Sequence, residues 1–366
     1  MATAKQVASS IRKWAQATNL LPPLQDALEV LYVAEVAPAV FDGPAEQILR
    51  QRGISSIAYN DTDEAVFVYT KRKVSQKEVL QLPTLIGNCD ISFPSGEPED
   101  LTAPPQQTQG APFSLVPVNG AHFYACGSSI SPGNSASAGT LGALVTDADG
   151  TLFGLTNNHV TGGCSHSQVG LPVLAPGVLD VAANLLPPFT LGFHAQVLQM
   201  FPGDGGNVDV TENTDAAIFK IANPAQVSSY QGDNYDTPTE VIPPEENMMV
   251  EKVGRTTRHT VGRIVGRELL PVRVNVSAAN HNYQAVILFP EVFVVHGEDG
   301  PFSMGGDSGS LVVNRKIDGT LAAIGLLFAG GSDTKAPGNY RTFVLPIGPI
   351  LDRFGLTLLG GHNAPP

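Results

Sequence analysis

A mainly β protein, with a small α+β segment at its start and one closing helix, is the fold class this sequence predicts. Three observations carry that reading. From about residue 122, short runs rich in β-branched and aromatic residues alternate with Gly, Pro, Asn and Asp, the punctuation of a sandwich or barrel. Glycine (38) and proline (29) make up about 18% of the 366 residues, too many breakers for long helices, and the glycines lack the three-residue period of collagen. Helical patterning is confined to the first 95 residues and to a stretch just before Gly360. At roughly 150 residues per domain the length suggests two or three domains.

In chain order, Met1–Leu21 places Val7, Ile11, Trp14 and Ala15 at helical spacing. It is basic (Lys5, Arg12, Lys13) but has no apolar core of a signal peptide, and an amphipathic helix is favoured over a transit peptide. Leu24–Val36 reads as a helix, and Gly43-Pro44 opens another over Ala45–Arg52 that Gly53 ends. Ile54–Tyr59 and Ala65–Tyr69 read as strands around the turn-forming residues 60–63. Ser75–Leu82 reads as a helix with a Ser75/Glu78 capping box, and Asp90–Phe93 as a strand. Residues 1–95 thus predict an α+β accessory domain with helices on one face of a sheet. Residues 96–121, with Ser95-Gly96-Glu97-Pro98 at their start and Pro104-Pro105 within, predict a Pro-rich linker.

Residues 122–360 predict the β domain. Strands are expected over Thr140–Thr146 and Thr151–Thr156, joined by an Asp147–Gly150 turn, then at 216–221, 249–253, 272–276, 285–288, 292–295, 310–313 and 321–328. Pro346–Leu356 predicts the closing helix, and residues 361–366 a loose, disordered tail.

Composition narrows the function classes. Apolar residues at 42% and charged residues at 15% exclude disorder as the main state. A net charge of −13 disfavours nucleic acid and anionic membrane surfaces as partners. No apolar run has the length of a membrane span. Three cysteines, Cys89, Cys126 and Cys164, cannot all pair within one chain, which points to a reducing compartment and a cytoplasmic location. Cys164 and His166 lack a second ligand pair, so no metal and no cofactor is expected.

Three segments carry chemistry together. His159 follows the strand-like Thr151–Thr156, Asp215 precedes the apolar run 216–221, and Ser308 stands in Gly305-Gly306-Asp307-Ser308-Gly309 before another strand. A serine hydroxyl is a weak nucleophile and needs a base such as imidazole. The imidazole needs an acid to fix its tautomer, and a developing oxyanion needs backbone donors, which glycines leave uncovered. Asp204, Asp209, Glu212 and Asp233 are rivals for the acid, but Asp215 alone directly precedes an apolar β-run.

In the order His, Asp, Ser, these blocks resemble the trypsin/chymotrypsin-like serine proteases, over about residues 122–356. The resemblance implies two six-stranded antiparallel β-barrels and a triad of His159 as base, Asp215 as its orienter and Ser308 as nucleophile. It implies an oxyanion hole from the N–H groups of Gly306 and Ser308. Phe328, Ala329 and Gly330 would pair with substrate and wall the specificity pocket, Gly330 leaving it open, and Phe302 would lie near its base. Val253-Gly254-Arg255-Thr256-Thr257 with Thr260–Ile264 is similar to a strand-turn-strand of non-secreted bacterial trypsin-like peptidases and the plant narrow-leaf protease group. Asn157 and Asn158 precede the histidine and Val160 follows it, so the disulfide common beside this histidine in secreted members is absent. Arg263–Gly266 mimics a zymogen cleavage site, yet a cut there would split the catalytic domain, and Asp307 has no new N-terminus to meet.

The expected function is a cytoplasmic serine endopeptidase that cleaves proteins or peptides, open to regulation as a processing protease. A catalytically inactive scaffold is the alternative. Residues 1–95 are expected to meet a regulatory protein partner, or to inhibit or oligomerise. Glu298 and Asp299 read as a solvated loop before the serine, with reach into the pocket and a preference for a basic residue as the alternative; Phe302 favours a neutral one, and the sequence leaves the choice open.

Overall fold

The structure, a computed structural model, describes residues 2–24, 26–99, 114–181, 189–203 and 208–366. It is mainly β, with the chymotrypsin-like double-barrel architecture. Six strands pair in the order Met249–Gly254, Leu311–Arg315, Leu321–Ser332, Tyr340–Pro346, Phe293–Gly297 and Arg258–Glu268. The first also pairs with the last, so the ring closes, with the longer strands Arg258–Glu268 and Leu321–Ser332 running on beyond it. Every one of the six contributes to one buried cluster, for example Val250, Ile264, Val295, Val312, Ile324 and Val344.

The first lobe is an eight-stranded curled sheet in which Leu152–Thr156 lies between Ala143–Thr146 and Ala217–Ile221. Leu144, Val173, Leu191 and Phe219 fill its concave side. A third cluster joins Leu155 and Ile218 of this lobe to Leu311 and Phe343 of the other, and the closing helix Ile347–Phe354 inserts Ile347, Ile350 and Leu351 into it. The lobes are therefore locked by shared burial, and the ends of their strands meet in one cleft.

The N-terminal segment is built on the helix Ala4–Ala17. Thr3 and Gln6 cap it reciprocally, and Val7, Ile11 and Trp14 are buried against Ile57, Val66 and Val68. Its strands do not form a separate sheet. Ile54–Asn60 pairs antiparallel with Arg258–Glu268 through Ala58↔Glu268 and Tyr59↔Arg267, which extends the barrel strand outward. Buried Arg341 seals the junction, donating to Glu268 at 2.6 Å and stacking 3.5 Å from the Tyr69 ring centre.

Several elements differ from expectation. The helix expected over Leu24–Val36 spans only Asp26–Tyr32, and that expected over Ser75–Leu82 is one capped turn, Gln76–Val79. The predicted linker ends in a hairpin, Leu115–Val118 with Ala121–Cys126, around Asn119-Gly120, a turn signal that favours hairpins because both residues accept positive φ. Residues 100–113 of that linker lie outside the described residues. The expected loose tail is instead tied down: Ser229 N–H donates to the His362 carbonyl at 2.9 Å, and Asn363 donates to the Val227 carbonyl at 2.9 Å. Strands Phe189–Val197 and Tyr340–Pro346 had no counterpart in the expected set.

Candidate active site

His159 stands in a single wide turn, Asn158–Gly162, directly after Leu152–Thr156. The two asparagines before it are scaffold. Asn157 donates to the Asp215 carbonyl at 2.6 Å, and Asn158 donates to Ser165 Oγ and the Leu198 carbonyl at 2.8 Å each. Asp215 is fully buried at the mouth of Ala217–Ile221. Its Oδ1 accepts the His159 backbone N–H at 2.9 Å, and its Oδ2 meets His159 Nδ1 in a close hydrogen bond. Both carboxylate oxygens thus hold one residue, which sets the imidazole's orientation and leaves Nε2 as its free nitrogen. The rivals sit elsewhere. Asp209 accepts from Thr211, Glu212 pairs with Arg353 at 3.3 Å, and Asp233 accepts from Asn234, while Asp204 lies outside the described residues.

Ser308 faces the same cleft from the other lobe. The cleft, about 650 Å³, is lined by His159, Ser308, Gly305, Gly306, Ala329 and Gly330, among others. Ser308 Oγ donates to the Phe328 carbonyl at 3.5 Å, and the Ser308 carbonyl accepts from Thr140 N–H at 2.9 Å. The turn before it is pinned from behind. Thr256 Oγ1 donates to the Gly305 carbonyl at 2.8 Å, so in a trans peptide the Gly306 N–H points the opposite way. Ser310 holds the Asp307 carbonyl through its N–H at 3.0 Å and its hydroxyl at 2.6 Å, which directs the Ser308 N–H likewise away from that carbonyl. Gly306 has φ +100°, and a Cβ there would come within 2.6 Å of Thr256 Oγ1, so only glycine fits.

Asp307 is fully buried and heavily bonded. It accepts from the N–H groups of Thr256 at 2.7 Å, Thr257 at 3.1 Å and Met304 at 3.0 Å, and from Thr257 Oγ1 at 2.7 Å. Its cation is Lys252, equally buried, with Nζ 3.6 Å away. Burial lowers the lysine's pKa and Asp307 counters that shift. An internal ammonium therefore stands where the sequence offered no new N-terminus for Asp307. The zymogen-like Arg263–Gly266 lies inside the strand Arg258–Glu268, with Ile264 buried and paired with Val295.

The residues expected at the substrate pocket divide into two pairs. Phe302 and Phe328 are fully buried among barrel and inter-lobe side chains, and their rings do not line the cleft. The Phe302 carbonyl accepts from Thr260 Oγ1 at 2.7 Å and Thr257 Oγ1 at 3.4 Å, and the Phe328 carbonyl accepts from Ser308 Oγ at 3.5 Å. Ala329 and Gly330 do line the cleft, but the space at Gly330 is taken, since a Cβ there would meet Tyr340 Oη at 2.4 Å. Glu298 and Asp299 are exposed. Lys252 and Tyr340 were missed. Lys252 had a signal, a lone cation in the otherwise strand-like 249–253; Tyr340 had none, because its role depends on a contact with Glu99.

No family model matches the chain. It is 24% identical over 335 residues to the rice (Oryza sativa subsp. japonica) protein NARROW LEAF 1, covering 81% of this chain and 54% of that protein. The chain therefore spans about half the length of that curated relative. Its structural neighbours are trypsin/chymotrypsin-like serine proteases. They include Thermobifida fusca protease A (21% identity, 65% of this chain and 100% of that one, TM-score 0.40). The alpha-lytic protease homolog N4 is another (22%, 64% and 100%, TM-score 0.42), as is Cellulomonas bogoriensis chymotrypsin (17%, 64% and 97%, TM-score 0.40).

Proposed function

We propose that this protein is a serine endopeptidase. The observation that carries the reading is the two-point grip of buried Asp215 on His159, in a cleft that Ser308 also lines. Ser308 Oγ attacks the scissile carbonyl carbon while His159 Nε2 takes its proton. The oxyanion is stabilised by the N–H groups of Gly306 and Ser308. The C–N bond breaks as His159 returns the proton to the leaving amine. Water, deprotonated by the same imidazole, then hydrolyses the acyl-serine and restores the hydroxyl. Lys252 paired with Asp307 supports a turn that is formed without proteolytic activation.

The three cysteines, all unpaired and buried, support a reducing compartment, and we place the protein in the cytoplasm. No helix among the described residues is long and apolar enough to cross a membrane. Regulated processing, with a protein partner met through residues 1–95, is the biological role that fits an enzyme of this chemistry.

Incubating the chain with a mixed peptide library and reading new termini by mass spectrometry tests the reading. Cleavage that disappears in Ser308→Ala is expected. Cleavage that persists in that variant, or none with the native chain, overturns it and leaves a protease-fold binding module.

A further inference from the structure

The strand Leu321–Ser332 outlasts its partner. Its pairing with Leu311–Arg315 ends at Leu326↔Leu311, while on the other side Tyr340–Pro346 pairs with it as far as Ser332↔Tyr340. Residues 328–332 therefore present a bare edge toward the cleft, and a bare edge is what an extended peptide adds to. That edge is already partly filled by the chain itself. Glu99 N–H donates to the Gly330 carbonyl at 2.9 Å, Ser332 N–H donates to the Glu97 carbonyl at 3.1 Å, and Pro98 bridges antiparallel to Gly331.

The contact is built in. A Cβ on Gly96 would fall 1.7 Å from the Ser332 carbonyl oxygen, and one on Gly331 would fall 2.4 Å from the Glu97 carbonyl oxygen, so glycines on both chains permit the approach. Ser55 Oγ donates to the Gly96 carbonyl at 2.6 Å, Glu97 N–H donates to Ser332 Oγ at 3.2 Å, and Tyr340 Oη donates to Glu99 at 3.1 Å. Pro98 occupies the position whose N–H would face outward, so its missing donor costs no ladder bond and blocks a further strand.

We infer that Glu97–Glu99 is a specificity-determining strand that truncates the peptide-acceptor edge, leaving room for only two substrate residues on the N-terminal side of the scissile bond. This rests on the protease reading above. Residues two apart face the same edge of a strand. The Phe328 carbonyl, beside Ser308 Oγ, remains for the residue that is cut, and one more residue fits before the Gly330 carbonyl, which Glu99 holds. Longer substrates gain nothing from their additional upstream residues, because those leave the sheet for solvent.

Three serine-directed reagents test this: a simple alkyl fluorophosphonate, and di- and tetrapeptidyl diphenyl phosphonates with a mixed residue next to phosphorus. In the native chain the tetrapeptidyl reagent is expected to label within twofold of the dipeptidyl one. Gly96→Val, which drives the strand off by collision, is expected to label at least tenfold faster with the tetrapeptidyl reagent than with the dipeptidyl one, with fluorophosphonate labelling unchanged. Ser55→Ala, which loses one anchor, is expected to give a gain of about threefold, and it decides the matter should Gly96→Val fail to fold. A native chain that already favours the longer reagent tenfold overturns the inference, as do variants that create no length preference, while fluorophosphonate labelling keeps the protease reading intact. No labelling by any reagent sinks both.

Discussion

Asp215 spends both carboxylate oxygens on His159, one on the backbone and one on the ring. An amide in its place would still accept one hydrogen bond but would present an N–H to the ring and favour the wrong tautomer. Asp215→Asn is therefore expected to fold normally by circular dichroism yet lower kcat by about 10⁴-fold in a peptide-cleavage assay. Lys252 makes a different kind of prediction. Removing one member of a buried ion pair strands the other charge, at a cost of about 3–5 kcal/mol. Lys252→Met is expected to lose stability of that order in urea titration. The same Lys252 shows where local reading stops. The blocks that hold His159, Asp215 and Ser308 stand out because each lies beside a strand-like run; Lys252 stands out as a cation in such a run, but that it meets Asp307 depends on barrel closure, which the local pattern does not report.

At the scale of elements, short capped pieces carry the connections. Gln76–Val79 is a single turn held by the Ser75/Glu78 box, and Arg52 donates to Glu78 from the preceding helix at 2.6 and 2.8 Å. Hydrogen bonds from Arg52, foremost, and from Ser75 hold the Glu78 carboxyl down from 4.5 to about 2. A depressed carboxyl contributes stability that is fully present above its unfolded pKa and is lost as pH falls through the folded one. Any advantage of the native chain over Glu78→Gln in thermal midpoint is thus expected to shrink between about pH 4.5 and 2, and a constant difference across that window would refute the assignment. Strands were legible where apolar residues run together between turn residues, as in Leu311–Arg315 and the first part of Leu321–Ser332. Phe189–Val197 was not, since its Gly192, His194 and Gln196 dilute the pattern while tertiary pairing with Ala217–Ile221 makes it a strand.

Across the whole molecule, the N-terminal strands and the barrel share one sheet, although about 200 residues separate Ala58 from its partner Glu268. The sequence pattern located Ile54–Tyr59 as a strand beside Ala65–Tyr69 but held nothing about its barrel partner, because pairing over that distance is decided by which strand ends run beyond the closed ring. With the Arg341–Glu268 pair buried at the seam, the two regions are expected to unfold as one. A single calorimetric transition is the expected result, and a separate early transition for residues 1–95 would contradict it. Everything functional rests on a hydroxyl from one lobe meeting an imidazole from the other. Phosphonylating the native chain with a fluorophosphonate and mapping the adduct by peptide mass spectrometry tests that meeting most directly. One adduct per chain on Ser308, lost in His159→Ala, is the predicted result; modification of another residue, or a rate on Ser308 indifferent to His159, would contradict it.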